Sequence, residues 1–231
     1  HRLIDSALSE DQTFNDPTTQ ALVQPEIRGA GMLRAKAHGV LAGVDVAAAV
    51  FQRVDAALDM RTLMADGSTL APGDDIASVE GPAGSILRAE RIALNFMQRM
   101  SGIASETNRY VQAVQACRSR IVDTRKTAPG MRFLDKYAVR MGGGYNHRLN
   151  LADGILIKDN HIQALRSQGL SLTEIIQLAL ARASHTIKVE VEVETLEETK
   201  EAVEAGAHII MLDNMPPGLM RQAMELIDGR A

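Results

Sequence analysis

From residue 154 to residue 228 the chain alternates short, β-branched apolar runs with longer segments of helical period, and this alternation limits the fold more than any other feature. Strands are expected at 154–158, 188–194 and 208–213, and helices at 172–182, 196–205 and 219–228. A further strand is expected upstream, at 120–123. Strands that alternate with helices imply parallel pairing through right-handed crossovers, as in an α/β barrel or an open sheet. Folds of this kind carry their functional residues at the C-terminal ends of the strands. Here those ends offer Asp123, Arg125 and Lys126, then Lys158, Asp159 and His161, then Glu192 and Glu194, and last Asp213 with Asn214. Loops are polar anyway, so one such end means little. Four in succession, passing from cationic to anionic, mean more.

The run Lys188-Val-Glu-Val-Glu-Val-Glu has a period of two, so its valines share one face and its glutamates the other. In a barrel the valines would meet the surrounding helices and the carboxylates would point inward, where apolar side chains are usual. Cations from neighbouring strands or a metal ion would then have to compensate them. An edge strand with a solvated acidic face is the competing expectation.

Residues before 105 follow a different pattern. A helix is expected at 3–8, a loop at 11–19, a half-buried strand at 32–37 and a helix at 44–56. Strands at 61–64 and 76–80 flank the turn signals Asp66-Gly67 and Pro72-Gly73. Helices are expected at 85–100, where Arg88, Arg91 and Asn95 share a face, and at 106–117. Two domains are expected: an N-terminal α+β sandwich over 1–104, and an α/β barrel domain over 105–231 that carries most of the active site.

Charge is distributed unevenly. The chain carries a formal net charge of −4, yet residues 123–156 hold six Lys or Arg and one His against three Asp. A short basic stretch in an acidic protein suits a small anion better than a polyanion, which needs a whole basic face. Aromatic residues are 3% with no Trp, too few for a base-stacking platform, so nucleic acid is not an expected partner. No apolar run approaches the roughly 18–20 residues of a membrane helix. Cys117 is the single cysteine, which leaves no intrachain disulfide and no cysteine zinc framework and points to a reducing, cytoplasmic setting. The chain begins at His1 rather than Met, which leaves room for a preceding segment.

Lys and Arg can neutralise phosphate and carboxylate oxygens, Arg in bidentate fashion. Carboxylates can hold magnesium through its waters or grip ribose hydroxyls. A cationic cluster facing paired acids therefore suits a phosphorylated sugar with bound magnesium. Gly142-Gly-Gly would allow close backbone approach, to a ligand or in a turn, but no Gly-Lys-Ser/Thr follows it and it is not a Walker A loop. His147 beside Arg148 suits a carboxylate clamp, and His161 would orient Lys158 or serve only packing. Gly-x-Ser-x-Gly and His-Glu-x-x-His are both absent, which argues against hydrolase chemistry of those types.

Taken together, Asp123-Thr-Arg-Lys-Thr-x-Pro-Gly, Lys136-Tyr-Ala-Val-Arg, Gly142-Gly-Gly-x-Asn-His-Arg, Ile157-Lys-Asp-Asn-His, Val189-Glu-Val-Glu-Val and Met211-Leu-Asp-Asn resemble the quinolinate phosphoribosyltransferases. Gly39-Val-Leu-Ala-Gly, Gly81-Pro-Ala and Glu90-Arg-Ile-Ala-Leu-Asn-Phe extend the resemblance over nearly the whole chain. It implies a pentosyltransferase of NAD biosynthesis. Quinolinate and phosphoribosyl pyrophosphate would give nicotinate mononucleotide, carbon dioxide and pyrophosphate, with magnesium as cofactor.

The resemblance also implies an N-terminal α/β sandwich on an incomplete, TIM-like α/β barrel, and a homodimer or higher oligomer with shared sites. Arg125, His147 and Arg148 would bind the quinolinate carboxylates, with Arg91 supplied by the neighbouring subunit. Lys126 and Lys158 would line the substrate and pyrophosphate region, while Glu192 and Asp213 would serve the ribose and, indirectly, magnesium. Members of the family continue into further strands with a Ser/Gly-rich phosphate-binding segment, so the C-terminal strands are expected to be missing from a chain that ends at Ala231. A related phosphoribosyltransferase of the same fold and a non-catalytic anion-binding protein are the rival readings.

Overall fold

The computed structural model describes all residues from His1 to Ala231. Its residues fall into two compact units, His1–Leu149 and Asn150–Ala231.

In the first unit, α1 (Arg2–Glu10) buries Ile4 and Leu8, one helical turn apart, and a 3-10 turn (Thr13–Asn15) leads to α2 (Pro17–Leu22). The Asp16 carboxylate starts α2 by accepting the Thr18 N–H at 3.0 Å, and Pro17 fills the first helical position, where a missing N–H costs nothing. The expected loop at 11–19 is thus partly helical. Next come β1 (Arg28–Arg34), β2 (Gly39–Val40), α3 (Val44–Val54), β3 (Asp59–Thr62), β4 (Thr69–Leu70) and β5 (Asp75–Pro82). Strands β1, β5 and β3 form an antiparallel sheet in that order, and β2 pairs antiparallel with β4.

One continuous helix, α4 (Ala83–Ala113), replaces the two helices expected at 85–100 and 106–117. Gly102 lies inside this helix, where an isolated glycine costs only about 1 kcal/mol. The apolar face of α4 carries Ile86, Ala93, Phe96, Met97 and Met100. Most of these residues join a core with Val50 and Phe51 of α3 and Ile76 and Val79 of β5. The unit closes with α5 (Arg132–Met141), a helix that the hydrophobic pattern does not announce.

The second unit holds β6 (Ile155–Ile157), α6 (Asp159–Arg166), α7 (Leu172–Arg182), β7 (Val189–Val193), α8 (Leu196–Glu204), β8 (Ile209–Leu212) and α9 (Pro217–Ile227). Its strands are parallel, in the order β6-β7-β8. Val189, Val191 and Val193 are at most 1% exposed and pack with Leu172, Ile176 and Ala202 of the covering helices. β7 is the central strand, so the solvated-edge expectation is wrong for it. Capping sets the helix starts: Ser171 and Glu174 form a reciprocal capping box on α7, and Thr195 Oγ1 accepts the Glu198 N–H on α8.

The strand expected at 120–123 does not form. Val122 makes only an isolated parallel bridge with Tyr145, and the side chain of Asp123 beside it joins a polar cluster. The mixed α/β class with parallel strands stands.

Candidate active site

A cationic cluster lies in the first unit, on two loops that flank α5. The first loop, 121–128, follows α4, and the second, 142–148, leaves α5. Two main-chain bonds join them: Tyr145 N–H to Ile121 O at 2.8 Å and Asp123 N–H to Tyr145 O at 3.1 Å. The guanidinium of Arg120 lies 4.7 Å from the centre of the Tyr145 ring. Between the loops, Asp123 is paired with Lys136 of α5, and both side chains are under a tenth exposed. Asp123 also accepts Asn146 Nδ2 at 2.6 Å and the His147 N–H at 2.8 Å. Asp123, which the sequence places among the strand-end residues open to a ligand, is therefore consumed internally.

One face of α5 holds both loops. Arg132, Asp135 and Lys136 stand three and four residues apart, the spacing that brings side chains to one side of a helix. Arg132 Nε donates to Thr127 Oγ1 at 3.1 Å. The Asp135 carboxylate takes a two-point grip from Arg99 of α4, at 3.0 and 2.8 Å, and faces the Ala128 N–H at 3.4 Å. On the adjoining face, Tyr137 Oη donates to Asp66 at 2.8 Å, and the same carboxylate accepts the Gly43 and Val44 N–H groups at the start of α3.

Arg125 sits on this frame with its Nε buried and without a hydrogen-bond partner. An unsatisfied buried donor costs about 1–3 kcal/mol, more when charged, and a ligand carboxylate would relieve it. Lys126, next to it, is exposed, while His147 and Arg148 are half-buried at the far side of the Asp123 cluster. Lys126 also borders a cavity of about 280 Å³ that reaches Asp123, Thr127 and Lys136. Arg91 is exposed on α4.

Gly142-Gly-Gly serves packing. A Cβ on Gly142 would stand 2.3 Å from the Ala104 carbonyl oxygen, and one on Gly144 would stand 2.8 Å from Thr107 Cγ2, both on α4. Gly143 has φ +88°, which ends α5 in the left-handed region. The close approach that glycine permits here is of loop to helix.

An acidic cluster lies in the second unit, at the C-terminal ends of β6, β7 and β8. Lys158 follows β6 and its Nζ meets Glu192 Oε1 at 2.6 Å, so the expected compensation of a β7 carboxylate by a cation is present. Glu190 is 7% exposed, and Asp213, just past β8, is half-buried. Asp159, Arg166, Glu192, Glu194, Glu198 and Asp213 border a cavity of about 340 Å³. Arg166 is held by Glu198 at 3.1 Å, so its charge is already matched. Such a cavity suits hydroxyl groups or a hydrated cation. No three His, Cys, Asp or Glu side chains converge on one point. The carboxylates of Asp159, Glu192, Glu194 and Asp213 at this cavity are oxygen donors, the ligand type that magnesium takes alongside its waters.

His161 acts on backbone. Its Nδ1 accepts the Lys158 N–H at 3.0 Å across the first turn of α6, fixing where Lys158 leaves β6. Of the residues that build the cationic frame, sequence reasoning gave no role to Lys136, Asp135, Arg132 and Asn146. The signal was the motif Lys136-Tyr-Ala-Val-Arg, whose lysine has no visible partner along the chain.

A basic, hydrogen-bonded frame in one unit and an acidic parallel-sheet end in the other are the two charged clusters of this α/β protein. The description of the quinolinate phosphoribosyl transferase N-terminal domain matches residues 16–101, and that of the C-terminal domain matches residues 103–231. The chain belongs to the quinolinate phosphoribosyl transferase family. It is 42% identical over 220 residues to a protein of Synechocystis sp. named "probable nicotinate-nucleotide pyrophosphorylase (carboxylating)", a match covering 95% of this chain and 73% of that one. A Bacillus subtilis protein of the same name is 41% identical, with 97% and 76% covered. Among solved structures, NadC from Streptococcus pyogenes superimposes with a TM-score of 0.92 at 44% identity, covering 99% of this chain and 80% of that one.

Proposed function

We propose that the protein transfers a phosphoribosyl group to quinolinate and decarboxylates the product, giving nicotinate mononucleotide, carbon dioxide and pyrophosphate for NAD biosynthesis. The observation that carries this reading is Arg125. Its buried, unpartnered Nε sits in a cationic frame whose own acid, Asp123, is already neutralised. A net-acidic chain that keeps such a frame is prepared for a small dianion.

In this reading Arg125, His147 and Arg148 hold the two carboxylates of quinolinate, and Arg91 joins them from the neighbouring subunit of a homodimer. Lys126 and Lys158 line the region of the pyrophosphate. Lys158 can do so because its side chain stays 40% exposed while it pairs with Glu192. Glu192 and Asp213 would face the ribose and would hold magnesium indirectly, an ion that would supply charge neutralisation for pyrophosphate departure.

As the bond from the sugar's anomeric carbon to pyrophosphate breaks, positive charge builds on the ribose. The carboxylates of Glu192 and Asp213 stabilise that charge electrostatically. The ring nitrogen of quinolinate gives its electron pair to the anomeric carbon and becomes positively charged. Its positive charge then stabilises the electron pair left on the adjacent ring carbon as carbon dioxide leaves, and that carbon takes up a proton with this pair. Two anionic substrates are held in register throughout, and no side chain forms a covalent intermediate. The lone cysteine suits a cytoplasmic setting for this chemistry.

The test is a magnesium-dependent assay of nicotinate mononucleotide and carbon dioxide from quinolinate and phosphoribosyl pyrophosphate. Turnover of nicotinate instead, without carbon dioxide, would assign the protein to a related transferase. Absence of turnover with either acceptor would favour an anion-binding role.

A further inference from the structure

Lysine is seldom fully buried unless its charge is held, and Lys136 is 3% exposed. Its ammonium lies between the Asp123 carboxylate and the carbonyl oxygen of His147, the latter at 3.0 Å. Asn146 and the His147 N–H complete the same carboxylate, and Asn146 Nδ2 also donates to the Lys136 carbonyl oxygen at 2.9 Å. The cluster therefore ties α5 to both loops at once, two residues before Arg125 on one side and one residue before Arg148 on the other.

Burial alone does not explain a lysine here, since apolar replacements of a buried ion pair are often neutral or stabilising. What a charged pair adds is directionality: donors and acceptors at fixed angles set where each loop runs. Arg132 makes a second, weaker tie at the other end of the loops, reaching Thr127 at 3.1 Å and the Leu149 carbonyl at 3.4 Å. Asp135 anchors α5 itself to α4.

We propose that Lys136 is a positioning residue for the carboxylate-binding half of the site, acting through Asp123 and His147 to hold Arg125 and Arg148 at the separation one dianion requires. The inference rests on the function proposed above, in which those two arginines bind quinolinate. Of the residues placed above at phosphoribosyl pyrophosphate, Lys158, Glu192 and Asp213 lie in the other unit and only Lys126 lies on a tied loop, so binding of this substrate should change less.

Steady-state kinetics for both substrates, with amide exchange over residues 121–128 and 142–148, test it on Lys136→Met, Lys136→Arg and Asn146→Ala. Val50→Ala, in the core and remote from the cluster, serves as the stability control. Lys136→Met should raise KM for quinolinate about tenfold or more while KM for phosphoribosyl pyrophosphate stays within about twofold. Exchange in both loops should quicken. Lys136→Arg should recover part of both effects, and Val50→Ala should lower the melting temperature with neither change. If Lys136→Met does not fold, Asn146→Ala should show the same selective rise in smaller measure. A folded variant with unchanged quinolinate KM, an equal rise for both substrates, or wild-type exchange in the loops would overturn the proposal. Wild-type protein without turnover would instead sink the functional reading, and the exchange data would still decide whether Lys136 fixes the two loops.

Discussion

At the scale of single residues, the cationic frame separates side chains that hold the protein from those left for a ligand. Asp123 and Lys136 spend their charges on each other; the buried Nε of Arg125 has no such partner. Arg148→Ala should weaken quinolinate binding by about 2 kcal/mol, the scale of a charge-assisted hydrogen bond, with less effect on the other substrate. Titration calorimetry with quinolinate reads this directly, and unchanged affinity would remove Arg148 from the site. Tyr137 is a separate case. Burial first, and then its bond to Asp66, push its hydroxyl from 10.0 up to about 12. The folded protein thus holds this proton more tightly than the unfolded chain does. The stabilisation is complete below pH 10 and is lost as pH rises toward 12. Urea midpoints between pH 8 and 12 should fall over that window and fall less in Tyr137→Phe; parallel curves would exclude the Tyr137 hydroxyl as the cause.

Elements behave differently according to what they bury. β7, α7 and α8 were legible because their buried faces are apolar and their caps, Ser171 and Thr195, stand where the periodic runs begin. α5 was not, because the residues it buries are Asp135, Lys136 and Ala138, while Phe133 is 72% exposed. A hydrophobic-period reading inverts such a helix. The segment 120–123 failed in the opposite way: it has a strand's composition, yet its backbone pairs with one neighbour at a single bridge, Val122 with Tyr145. The triple glycine was legible as a turn but not as a packing surface. Gly142→Ala would force a methyl group onto the Ala104 carbonyl, so it should destabilise the first unit by about 1–3 kcal/mol. Chemical denaturation checks this, and a neutral substitution would show that the loop can move away from α4 freely.

For the whole molecule, the shared-site reading makes a prediction that no single subunit can satisfy. Arg91→Ala and Lys126→Ala subunits, each inactive alone, should regain about a quarter of wild-type activity when mixed and allowed to exchange, because half the dimers would carry one intact site. No recovery in a mixture shown to contain mixed dimers would place Arg91 in its own subunit's site or outside any site. No helix of the protein is long and apolar enough to cross a membrane. The sequence by itself determined the α/β class, the strand ends that carry charge and, through ordered motifs, the family, because periodicity and local motifs are properties of neighbouring residues. Only the tertiary structure decided which charges cancel. Lys136 lies 13 residues from Asp123, and Lys158 lies 34 from Glu192. Partners that far apart in the chain are chosen by packing, and packing also left the Nε of Arg125 without one.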